Sequence, residues 1–192
     1  MTMVQATCYG FPAPTGSNGG ERMFIPIHDA NELRHIRFQY VTVGLIIANV
    51  IVFLLTTLGV SGDNAIRAAL GLGYIPAVVN DFAELSPADI LVPENWTYVT
   101  YSFLHGDILH LGGNMLYLWI FGDNIEDRLG HVLFIVLYAA GGILASLCHW
   151  AMIPEKAMLQ PVIGASGAVA TVLGAYAVTF PRANVRCLVI LI

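Results

Sequence analysis

The sequence predicts an all-α polytopic membrane protein, and two observations carry that prediction. Of 192 residues, 57% are hydrophobic and only 11% are charged, with a mean hydropathy of +0.71. A soluble domain carries roughly a quarter charged residues. The apolar residues also gather into four long runs, over residues 40–58, 108–121, 132–153 and 163–180, and residues 185–192 open a fifth. The net charge of −5, with no extended basic stretch, argues against a nucleic-acid partner. Cys8, Cys148 and Cys187 are too few and too scattered for a disulfide framework or a metal cluster.

Residues 1–37 read as a flexible cytoplasmic tail, and 38–192 as the membrane domain. The first twenty residues are rich in Gly, Pro and Ser and lack the basic start and apolar run of a signal peptide. The run at 40–58 is the first expected span. Residues 59–107 are too apolar for a solvated loop and too broken for a span, with Pro76, Pro87 and Pro93. They read as an interfacial structure lying on the helices. Trp96, Tyr98 and Tyr101 suit the headgroup level. The run at 108–121 is shorter than the ~20 residues that cross hydrocarbon, unless neighbours shield it or residues 99–104 extend it.

Charge asymmetry sets an orientation. Arg22, Arg34, Arg37, Arg128, Arg182 and Arg186 fall on one side, against Arg67 and Lys156 on the other. Basic residues favour the cytoplasm, so the amino terminus is expected there. The second and fourth spans then both begin at the outer surface. His105, His110 and Asn114 on one, and Ser166 on the other, come to similar depth.

These polar groups are the candidates for chemistry. Ser166 sits at a helix start, where backbone N–H groups lack helical partners and are placed to stabilise an oxyanion. Gly164 and Gly167 leave room for a substrate carbonyl. Taken alone, Gly164-Ala165-Ser166-Gly167 reads more readily as close helix packing. It also differs from the soluble hydrolase elbow in its glycine spacing. His110 and Asn114, four residues apart, share a helix face and both donate hydrogen bonds. Polar groups in a span usually face the interior or a wet cavity. A metal reading of His105, Asp107 and His110 lacks the His-Glu-x-x-His pairing. An aspartyl mechanism lacks a second embedded aspartate beside Asp123. Glu126 and Arg128 lie at the far end of the helix from Ser166 and read as structural, and Trp96 as an anchor.

The chain resembles the rhomboid family of intramembrane serine proteases. The resemblance rests on Trp96, on the stretch from His105 through His110 to Asn114, on Glu126-Asp127-Arg128-Leu129-Gly130, and on Gly164-Ala165-Ser166-Gly167. It implies a rhomboid-like helical bundle, truncated here to four helices and the start of a fifth. It implies Ser166 as nucleophile, His110 and Asn114 as oxyanion-stabilising groups, and His105, Gly164 and Gly167 as supporting residues. Trp96, Glu126 and Arg128 take structural roles. The substrates would be transmembrane segments of other proteins in a lipid bilayer, with no cofactor and no metal. The family's Trp-Arg pair reads Trp96-Thr97 here, so the anchoring of that loop is expected to differ. The family's general-base histidine lies on a sixth helix, and none of His28, His35, His105, His110, His131 or His149 matches it. The expectation is therefore a truncated enzyme with negligible proteolysis by these residues alone. An inactive relative that binds membrane helices without cutting them is the alternative. A bacterial-type cell membrane is the expected location.

Overall fold

The computed structural model describes residues 3–9, 22–29, 31, 33–57 and 63–191. Helices dominate, and they begin where the apolar runs begin. Helix α1 (Tyr40–Thr57) is eighteen residues long, about 27 Å at the α-helical rise. Its buried Thr42, Asn49 and Phe53 recur at helical spacing and mark its inward face. The outward face leaves Ile47, Ile51, Leu54 and Leu55 exposed.

The expected interfacial segment folds into short pieces. Helix α2 (Asp63–Leu72) is followed by the single turn α3 (Pro76–Val79), with proline at its first position, where its missing N–H costs nothing. Tyr74 forms an antiparallel bridge to Val162 through two backbone hydrogen bonds of 3.0 and 2.8 Å. Ala77 N–H adds a third bond to Met158 C=O. The segment thereby straps the loop that leads into Ser166. A 3-10 turn at Glu94–Trp96, helix α4 (Thr97–Thr100) and a second 3-10 turn at Tyr101–Phe103 complete it.

Helix α5 (Ile108–Met152) contains both the second and the third apolar runs. It starts at Asp107, whose carboxylate accepts from the N–H groups of Leu109 and His110 at 2.8 Å each, satisfying two donors of the first turn. It breaks at Gly130, which has φ 75° and ψ 164°, a conformation open to glycine and strained for other residues. The chain then returns. Gly142, twelve residues past the break, accepts a 2.7 Å bond from the Tyr101 hydroxyl at the other end. Helix α6 (Ser166–Thr179) packs Ala168, Val169, Val172 and Tyr176 into a core shared with Leu111, Leu118, Ile125, Phe134 and Tyr138 of α5. Gly167 lies so close to Ala145 that an added methyl would overlap it.

Helices α1 and α5 are long and apolar enough to cross a membrane, whereas α6 is apolar but has only fourteen residues, about 21 Å. Four separate spans are therefore more than the helix lengths establish. The expected fifth span is replaced by a strand. Residues Asn184–Leu191 form β3, which lies between β1 (Met3–Tyr9) and β2 (Arg22–Asp29) in an antiparallel sheet. A short apolar run rich in β-branched residues fits helix or strand equally by pattern, and two extended partners decide it for the strand. Those partners come from the stretch expected to be a flexible tail. Its Gly/Pro-rich residues 10–21 lie outside the described residues.

Candidate functional site

The site forms where the first turn of α5 meets the start of α6. Gly164 N–H donates to Tyr101 C=O at 2.9 Å and adopts φ +123°. This turn throws the chain into α6 with Ser166 as its first residue. The first helical bond there runs from Val169 N–H to Ala165 C=O, 2.9 Å. The N–H groups of Ser166, Gly167 and Ala168 are left without helical acceptors. The Ser166 side chain is exposed, and its hydroxyl makes no hydrogen bond among the described residues.

His110 lies directly over Gly164. A Cβ built on Gly164 would stand 2.7 Å from both Cε1 and Nε2 of the imidazole. The His110 ring makes no hydrogen bond among the described residues, so its N–H is available to an incoming oxygen. Asn114, buried one turn further along α5, donates to His105 Nε2 and to His110 C=O, both at 3.1 Å. Both amide hydrogens are thus engaged. For Asn114 to serve an oxyanion, that oxygen must displace His105 as acceptor.

His105 is 5% exposed and stands edge-on to His110, ring centroids 5.0 Å apart. Its Nε2 also receives Ala165 N–H at a long 3.5 Å. Two converging donors make Nε2 the acceptor and put the ring proton on Nδ1. Burial, and then the neighbouring His110, push the pKa of His105 down to about 4, against smaller opposing effects of the Phe103 backbone and Asp107. The unfolded chain binds this proton near pH 6.5 and the folded chain does not. Stability from this group is therefore complete above about pH 6.5 and is lost as the pH falls toward 4, by up to ~3 kcal/mol. Unfolding midpoints between pH 7 and 4 should show this loss in the wild type and a weaker one in His105→Gln. Parallel curves for the two proteins would refute it.

The structure thus brings Ser166, Gly164, His105, His110 and Asn114 together, with Gly167 setting the packing of α6. The remaining candidates lie elsewhere. Trp96 is 63% exposed, and Thr97 is buried and bonds back to Glu94 C=O at 2.6 Å. Glu126 lies four residues before the Gly130 break of α5, remote from His110, and is fully buried. It accepts from Val41 N–H, Thr42 N–H, the Thr42 hydroxyl and His131 Nδ1, so it caps α1. Arg128 does not pair with it, and its guanidinium lies 5.9 Å from the centre of the Phe180 ring.

Sequence reasoning missed three residues here. Tyr101 was expected at the headgroup level, but it is 3% exposed and ties Gly142 and Gly164 to one residue. Asp127 accepts from the N–H groups of Arg34, His35 and Ile36 and from the His35 ring. Asp29 bonds Tyr176 of α6. Isolated polar residues of this kind leave no periodic signal in a sequence.

A histidine–asparagine pair near the start of one helix thus lies beside an exposed serine at the start of another. The family model for the rhomboid domain matches residues 92–192, and the chain belongs to the rhomboid family. It is 35% identical over 83 residues to presenilin-associated rhomboid-like protein A, mitochondrial, of Danio rerio, covering 43% of this chain and 22% of that protein. It is 38% identical over 86 residues to rhomboid protein 1, mitochondrial, of Saccharomyces cerevisiae, covering 44% and 25%. Rhomboid-like protein 11, chloroplastic, of Arabidopsis thaliana is 35% identical over 77 residues, covering 40% and 26%. The matched stretch spans about a quarter of the length of these relatives. Their names place them in mitochondria and chloroplasts and lend no support to a bacterial-type cell membrane.

Proposed function

We propose that this chain carries the nucleophile half of an intramembrane serine endopeptidase that hydrolyses peptide bonds in or near transmembrane segments of other proteins. The observation that carries the reading is the meeting of His110 and Gly164 beside an exposed Ser166 at a helix start. Ser166 Oγ attacks the substrate carbonyl carbon. Its proton passes to a histidine that lies outside these residues, on the sixth helix of the rhomboid fold, and from there to the leaving amine. The oxygen of the tetrahedral intermediate takes the N–H groups at the start of α6 and the His110 ring, and Asn114 joins by releasing His105. Donors fixed before the reaction are worth about 10²–10³ in rate each. In this placement the amino terminus faces the cytoplasm, the His110 end of α5 faces outward, and the bilayer supplies both solvent and substrates.

The test is active-site labelling in native membranes with a fluorophosphonate, which reacts with activated serines. The full-length protein, with its sixth-helix histidine, should label, and its Ser166→Ala variant should not. His110→Ala and Asn114→Ala should label at least tenfold more slowly. Equal labelling of the Ser166→Ala protein would remove the nucleophile assignment. Capture of a transmembrane peptide with no labelling at all would favour the binding-only alternative.

A further inference from the structure

Helix α6 presents Ser166, yet most of what holds it is apolar. Ala168, Val169 and Val172 pack into the shared core, and such contact is non-directional. It presses α6 against α5, and apart from the close fits of Gly167 on Ala145 and Thr171 on Gly141 it constrains position along the axis only weakly. Directional ties are few. At the start of the helix, Gly164 N–H bonds Tyr101 C=O. Among the described residues, one α6 side chain hydrogen-bonds outside the helix. It is Tyr176, ten residues from Ser166 and ~15 Å along the axis. Its hydroxyl donates to Asp29 Oδ2 at 2.9 Å and accepts from Asn31 Nδ2 at 2.9 Å. Asn31 also donates to the same Asp29 oxygen at 2.9 Å. The three side chains close a ring of hydrogen bonds, with Asp29 6% and Tyr176 4% exposed.

Asp29 is itself held. It ends β2 opposite Val185 of β3. A few residues later the backbone of Arg34, His35 and Ile36 is gripped by Asp127 of α5. The strap from β2 to α1 is thus fixed to α5 and to the sheet, and through Asp29 it grips the far end of α6.

We propose that Asp29 is a positioning residue that acts through Tyr176 to set where α6 holds Ser166 relative to His110. The proposal rests on the reading of Ser166 as nucleophile. Asp29 touches no reacting atom. It fixes the axial position of a helix whose other end must align with His110 to within a fraction of an ångström, because small misplacements cost reactivity steeply.

The experiment uses the full protein in membranes and measures the fluorophosphonate labelling rate against reagent concentration, well below the unfolding midpoint of every variant. Asp29→Ala and Tyr176→Phe should each lower the maximal rate about tenfold with the half-saturating concentration unchanged. The double variant should fall no further, because both changes break one tie. Asp29→Asn keeps an acceptor oxygen and relieves repulsion from nearby Asp123, so it should stay within about twofold of wild type. Hydrogen exchange is the second readout. The amides of Gly164 and Val169, both hydrogen-bonded in the wild type, should exchange faster in Asp29→Ala and Tyr176→Phe and normally in Asp29→Asn. A wild type that fails to label refutes the nucleophile reading, and the exchange measurement still decides the role of Asp29. Wild-type exchange at Gly164 and Val169 in Asp29→Ala, or rates that multiply in the double variant, would overturn the proposal.

Discussion

Replacing Glu126 by alanine is expected to destabilise the fold by about 3–5 kcal/mol, the range for breaking a buried charged network from one side. Glu126 is fully buried and takes four donors. Two are the Val41 and Thr42 N–H groups in the first turn of α1, at 3.0 and 2.8 Å, one is the Thr42 hydroxyl at 2.7 Å, and one is His131 Nδ1 at 2.5 Å. A helix start leaves its first N–H groups without partners, and a carboxylate there also meets the positive end of the helix dipole. Removing it strands the Val41 and Thr42 N–H groups and the Thr42 hydroxyl, whereas the 42%-exposed His131 ring can turn to water. The unfolding midpoint should fall by roughly 6–20 °C at 2–4 °C per kcal/mol. Thr42→Ala alone should cost less, and adding it to Glu126→Ala should cost almost nothing more. A loss below about 1 kcal/mol for Glu126→Ala would show that α1 does not depend on this cap.

The second large effect is expected at Gly164. An alanine there puts a methyl group 2.7 Å from two ring atoms of His110 and forces a φ of +123° on a residue with a Cβ, a strain of order 1–3 kcal/mol. The imidazole must retreat by about an ångström, and a displacement of that size costs about 100-fold in reactivity. The labelling rate of Ser166 should drop by that factor while the protein remains folded. Combining Gly164→Ala with His110→Ala separates the two causes. The double variant should regain only the part of the stability lost to the clash, since the φ strain remains, and should not regain rate, because the donor is gone as well. Unchanged labelling in Gly164→Ala would mean that His110 does not work from where it sits.

Much of this architecture is legible in the sequence. The helix starts at Tyr40, Ile108 and Ser166 follow from apolar runs bounded by polar or turn residues. The four-residue spacing of His110 and Asn114 put them on one face, and charge asymmetry put both level with Ser166. The His110 ring lies against Gly164, two residues before Ser166. Other features were beyond reach for definite reasons. Asp29 and Tyr176 are 147 residues apart, and nothing periodic links two isolated polar residues. Residues 184–191 are eight long, too short for apolar content to separate strand from helix. The engagement of both Asn114 hydrogens depends on where His105 turns its ring, which only coordinates reveal.

The break at Gly130 bears on how the molecule would be assembled. The arm before it carries His110, Asn114, Asp123, Glu126 and Asp127, whereas the arm after it, residues 131–152, has no aspartate, glutamate, lysine or arginine. Ionisable groups make a helix a poor entrant into hydrocarbon on its own. A single residue reverses the chain, so no slack lets the arms partition one at a time. In the proposed membrane placement the later, greasier arm draws the earlier, polar arm in with it. The ribosome would have to complete both before either is committed to the bilayer.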